Sequence, residues 1–190
     1  MRGYFGIGVQ NISKEGNFGT IVRSAHSFGA SFVFSLAPAL DMTELRVSDT
    51  AASSDHVPYY EYDSAANMAL PKGCQLVGVE LVPGAASLPS FRHPAQAAYI
   101  LGPEMGSLSP DVLARCDHTL KIPMKFCVNV GVAAAIVMYD RLLSTGQHAD
   151  RPVMPGGPMG EAPDGYVDPE ALKAAQYAPR RKVRTKNPGA

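Results

Sequence analysis

Ile122-Pro123-Met124-Lys125-Phe126-Cys127-Val128-Asn129-Val130 carries the chain from the end of one element to the start of the next. Thr119–Ile122 is a short β-branched and apolar run closed by Pro123, the pattern of a buried strand. Asn129 then opens a helix whose first turns are small, with Gly131, Ala133, Ala134 and Ala135 ahead of Ile136, Val137 and Met138. Small side chains permit close backbone approach, which serves a cofactor, a helix partner or plain core packing, and the sequence leaves all three open.

The same strand-then-helix alternation recurs upstream. Tyr4–Val9 reads as a first strand and Asn17–Phe28 as a helix with Ile21, Val22, Ala25 and Phe28 on helical spacing, ended by Gly29. Ser31–Leu36, Leu76–Leu81 and Ala97–Leu101 read as further strands, with helices expected at Ser64–Leu70 and Pro110–Arg115. The polar stretch Asp41–Asp55 yields no assignment. Strands alternating with helices predict an α/β domain, a mainly parallel sheet with helices on both faces. Ligands in such domains sit at the carboxyl ends of strands.

Two other segments end apolar runs in the same way. In Asn17-Phe18-Gly19-Thr20-Ile21-Val22-Arg23, Asn17 is placed to cap the helix, and Arg23 is either a surface ion pair or a grip on phosphate or carboxylate. In Leu101-Gly102-Pro103-Glu104-Met105-Gly106-Ser107-Leu108-Ser109, the glycines and proline make a turn after a strand, leaving backbone groups open to a ligand. Glu104 within it is either solvated or functional.

Taken in order, the three segments resemble the signature set of the SpoU (TrmH-type) RNA 2′-O-ribose methyltransferases of the SPOUT superfamily, over about residues 4–145. The resemblance implies a SPOUT fold with a C-terminal deep trefoil knot, a homodimer, and S-adenosylmethionine held by the knotted loops. It places Asn17, Arg23, Glu104, Cys127 and Asn129 in the catalytic centre. It places Val79, Glu80, Gly102, Ile122, Met124 and Cys127 around the cofactor, with a tRNA or rRNA as the methyl acceptor. Two departures stand out: the serine of the usual Ser-x-Asn is Cys127, and only Lys125 and Phe126 separate Met124 from it. They motivate an alternative, a catalytically silent RNA-binding scaffold of the same fold. A nicotinamide enzyme ranks last, because no G-x-G-x-x-G follows the first strand.

The 190 residues are 46% hydrophobic and 18% charged, a balance that calls for a folded core rather than disorder. Domain 1–146 is expected to hold the fold. Residues 147–190 read as a Pro/Gly-rich linker, a short helix near Pro169–Gln176 and a flexible basic tail. Arg180, Arg181, Lys182, Arg184 and Lys186 are five of the seventeen basic residues; without them the body carries twelve against seventeen acidic ones, a net of −5. RNA contact must therefore come from local patches, the tail or pairing of subunits rather than from average charge, with Arg23 and the five tail cations as the expected RNA-binding residues. Cys74, Cys116 and Cys127 lack paired spacing, so neither disulfides nor a metal site is expected. Without a signal region or a membrane-length apolar run, a cytoplasmic location is the expectation.

Overall fold

The structure is a computed structural model that describes residues 3–41, 56–146 and His148. Backbone contacts divide the chain after Gly146, and the fold below belongs to the unit Met1–Gly146. The expected linker, the short helix near Pro169–Gln176 and the basic tail lie outside the described residues.

The elements are β1 (Tyr4–Gln10), α1 (Glu15–Phe28), β2 (Phe32–Leu36), β3 (Tyr59–Tyr62), β4 (Gln75–Val79), β5 (Ala86–Ser87), β6 (Gln96–Leu101), α2 (Pro110–Arg115), β7 (His118–Lys121) and α3 (Val130–Thr145). Among the described residues they build a seven-stranded sheet of order β3-β2-β1-β6-β4-β7-β5 in which every pairing is parallel.

Side-chain alternation along the strands splits the core between the two faces. Phe5, Ile7, Val9, Val33, Val77, Tyr99 and Leu101 pack under Phe18, Ile21, Val22 and Ala25 of α1 and Ala133, Ala134, Val137 and Met138 of α3. Phe32, Phe34, Leu76, Ala98 and Ile100 point the other way, against Val112 of α2 and Leu108 in the loop before it. Gly6 and Gly8 belong to this second face and are glycine for a packing reason. A Cβ at either position would lie 2.3 or 2.4 Å from the ring of Phe32 or Phe34, its register neighbour on β2.

Two expectations need correction. Ser64–Leu70 is a turn, not a helix: the Ser64 hydroxyl accepts from Asn67 N–H, backbone bonds close only as far as Met68, and Pro71 follows. Asn17 does not cap α1, which begins two residues earlier at Glu15 with Lys14 as its N-cap residue. Gly29 does end that helix, in the left-handed region at φ 74°, with its own N–H and that of Ala30 closing onto His26 and Ala25. The strands β3 and β5 have no counterpart in the sequence reading.

Helix α3 is tied to the amino ends of two strands by Arg141, which is only 5% exposed. Its guanidinium donates to the carbonyls of Pro94 (2.7 Å), Ala95 (3.0 Å) and Tyr4 (3.3 Å) and to the Tyr99 hydroxyl (3.0 Å). Tyr99 then donates to His93 Nδ1 at 2.6 Å, and His93 Nε2–H donates to Asp140 at 3.0 Å. Burial drives Tyr99 up to about 12, and burial outweighs Asp140 in holding His93 below the ordinary imidazole range, so this relay runs with a neutral ring.

Candidate active site

The three segments converge at the carboxyl ends of β1, β4, β6 and β7. Glu104, in the loop after β6, reaches the turn that precedes α1. Its Oε2 accepts from Ser13 N (3.2 Å) and Ser13 Oγ (2.9 Å), and its Oε1 accepts from Lys14 N (3.1 Å) and Asn17 Nδ2 (2.9 Å). The helix start is thus capped by a carboxylate from a distant loop, a placement that backbone N–H groups and the helix dipole both favour. Burial pulls the Glu104 carboxyl upward, but the bonds from Asn17, its own backbone and Ser13 outweigh it and hold the group below the usual carboxylate range.

Asn17 passes the connection on. Its Oδ1 accepts from Asn129 Nδ2 at 2.7 Å, and Asn129 Oδ1 accepts from Gly131 N at 2.8 Å as the cap of α3. One relay, Glu104–Asn17–Asn129, therefore fixes the amino ends of both long helices. Each asparagine amide is oriented by it, because the donor and acceptor ends have different partners. The close approach at Gly131 answers the question left by the small residues of α3: a Cβ there would come within 2.9 Å of Thr20 on α1. Ala133 instead faces the pocket beside the relay.

That pocket is lined by Val79, Glu80, Leu81, Leu101, Gly102, Pro103, Glu104, Gly106, Lys121, Ile122, Met124, Cys127, Val128, Val130 and Ala133. All six residues expected around a cofactor are among them. Its walls are mainly apolar, with Glu104 and Lys121 among them, and Glu80 shapes the rim: Oε2 accepts from Leu108 N (2.7 Å) and Oε1 from Leu81 N (2.8 Å). Gln10, which is buried, holds the next residue by accepting from Ser109 N at 2.9 Å. A Cβ at Gly102 would press on Leu108 N at 3.2 Å and Glu80 Oε2 at 3.3 Å, so the loop closes this tightly only over glycine.

Two expected residues stand apart from the relay. Arg23 is exposed on α1, and its side chain makes no hydrogen bond or ion pair with the described residues. Cys127 lines the pocket as an exposed free thiol, outside the relay its neighbour Asn129 enters. Ser13 and Gln10 were missed. A serine two positions ahead of a helix is the one signal that could have flagged Ser13, and it reads as an ordinary cap.

The family model of the SpoU rRNA methylases matches residues 5–139, which contain the whole relay and every pocket residue. The chain belongs to the SpoU rRNA methylase family. It is 28% identical over 142 residues to a tRNA (guanosine(18)-2′-O)-methyltransferase of Borreliella burgdorferi, an alignment covering 71% of this chain and 64% of that protein. The corresponding Escherichia coli enzyme is 24% identical over 139 residues, 70% of this chain and 60% of that protein. The SpoU member thus spans less than two thirds of the length of these relatives. Its fold matches an AdoMet-bound rRNA methyltransferase from Sinorhizobium meliloti with a TM-score of 0.67 at 18% identity, covering 77% of this chain and 59% of that one. Among the described residues no helix is long and apolar enough to cross a membrane.

Proposed function

We propose that this protein transfers a methyl group from S-adenosylmethionine to a ribose 2′-hydroxyl of tRNA or rRNA. The observation that carries the reading is the relay: Glu104 and Asn129, 87 and 112 residues beyond Asn17, meet it at the edge of one pocket. An intact relay favours an enzyme over a silent scaffold, and the curated relatives named above are 2′-O-methyltransferases.

The pocket fits the cofactor by its chemistry. Val79, Ile122 and Met124 give apolar walls for a base, Gly102 keeps the floor open, Cys127 adds a compact side chain, and Glu80 retains acceptor capacity for hydroxyl groups. S-adenosylmethionine supplies the electrophilic methyl group. The chain's own task is to place a weak nucleophile in line and to stabilise the charge it develops. Guanidinium groups do not deprotonate in proteins, so Arg23 acts as a cation that grips an adjacent phosphate and steadies the developing alkoxide. Asn129 and Asn17 fix the amide dipoles at the rim, and Glu104 holds both in register.

The rest of the proposal follows the family. The interleaved order that sets β7 between β4 and β5 supports a trefoil knot. The exposed apolar stripe Val132, Tyr139 and Leu142 on α3, with Val128 just ahead of the helix, supports a homodimer. Residues 147–190 act as a linker and cationic tail that holds RNA phosphates through Arg180, Arg181, Lys182, Arg184 and Lys186. The test is transfer of labelled methyl groups to total RNA from a strain lacking the protein, with the modified nucleotide mapped. Wild type should transfer label. Arg23→Ala should bind S-adenosylmethionine normally and transfer none, and wild-type turnover in that variant would remove Arg23 from the site.

A further inference from the structure

Among the described residues, the two most exposed large apolar side chains are Met105, at 91%, and Phe126, at 85%. Neither lines the pocket, but each is flanked in sequence by residues that do. Met105 lies between the pocket residues Glu104 and Gly106, and Phe126 sits in the two-residue loop between the pocket residues Met124 and Cys127. Nothing in the fold of the monomer requires an aromatic ring in water at that point, since the loop's own backbone path is set by Pro123 and by the Asn129 cap.

We infer that Phe126 is a stacking platform for a base of the substrate RNA next to the methylated ribose, with Met105 flanking it; this rests on the RNA methyltransferase reading above. Aromatic side chains beside cations are how proteins hold unpaired nucleotides, the ring taking the base and the cation the phosphate. Lys125 is exposed immediately before Phe126, and Lys14 and Arg23 are exposed on the α1 side of the relay. A second protein copy is the competing occupant. The stripe on α3 suits one, but Lys125 does not, because lysine is depleted at interface cores and costly to bury unpaired. Phe126 precedes that stripe, in the loop between two residues of the pocket wall, Met124 and Cys127.

The chain contains no tryptophan, so Phe126→Trp supplies a single fluorophore at the proposed platform. Unmodified RNA transcript added to full-length Phe126→Trp should quench its emission, with or without S-adenosylmethionine. Phe126→Ala should lose about tenfold in kcat/KM for RNA, roughly 1.4 kcal/mol and within the range of one stacked base. Cofactor affinity and sedimentation should not change. No quenching together with an unchanged kcat/KM in Phe126→Ala would overturn the assignment, as would dissociation of a dimer by that substitution. Should wild type transfer no methyl group, the functional reading fails by itself, while RNA-dependent quenching still reports on the platform.

Discussion

Replacing Glu104 by glutamine tests whether the relay depends on a charged acceptor with two equivalent oxygens. The carboxylate accepts four hydrogen bonds, two at each oxygen. A glutamine has one oxygen, so in either orientation its NH₂ group faces a pair of donors, from Ser13 or from Lys14 and Asn17. Two charge-assisted bonds worth roughly 1.5–3 kcal/mol each are lost. Solvent access at this lip reduces the loss by about half, to roughly 2 kcal/mol, or about 4–8 °C in Tm for a protein of this size. The pH dependence carries a definite sign. The folded-state carboxyl lies below its usual value, so its contribution is complete above the unfolded value near ~4.3 and is lost as pH falls through the folded value. Denaturant unfolding of wild type and Glu104→Gln from pH 7 to pH 3 should show a gap that closes toward the acid end. A gap below about 0.5 kcal/mol at pH 7, or one that is constant with pH, would refute the reasoning.

Cys127→Ser should retain or raise methyl transfer, since it exchanges one small polarisable group for a hydroxyl in an open pocket; complete inactivation, read in the labelled-methyl assay, would mean the thiol has a chemical role. Gly131→Ala should destabilise by about 1–3 kcal/mol through its clash with Thr20, measured by urea unfolding, and the separation of α1 from α3 should also lower activity. Arg141→Met should cost about 3 kcal/mol or more in the same measurement, because it leaves the carbonyls of Tyr4, Pro94 and Ala95 without their donor. Deleting residues 179–190 should weaken RNA binding and flatten its salt dependence while leaving cofactor affinity intact, as followed by filter binding across a salt series.

Local pattern carried the helices and central strands: α2 has the expected bounds, and Gly29 stops α1 where a left-handed residue was needed. What pattern does not carry is partnership across the chain. Asn17 looks like a helix cap because its type suits one, yet the cap comes from Glu104, 87 residues away, and Asn17 donates its amide to Glu104 while its carbonyl accepts from Asn129. The alanines at 65, 66 and 69 favour a helix, but one turn between β3 and Pro71 is too short to sustain it. Tyr59–Tyr62 lacks alternation because an edge strand beside β2 is partly exposed on both sides. Residues Asp41–Asp55, left unassigned in the sequence, fall outside the described residues from 42 onward. Six of the fifteen residues that line the pocket were expected around a cofactor from family resemblance. The roles of Ser13 and Gln10 were not, since each depends on which backbone N–H the closed loop presents.

A carboxylate that caps a helix from a distant loop also sets an order of events in time. The donors at Ser13 and Lys14 lie 91 and 90 residues before their acceptor, and the amide of Asn129 lies 112 residues after Asn17. No fragment that stops short of α3 can hold this geometry, and closing such long loops is slow relative to forming local helices. During refolding, helical signal should therefore return well before ligand-binding capacity, and binding competence marks the moment the last long-range closure is complete.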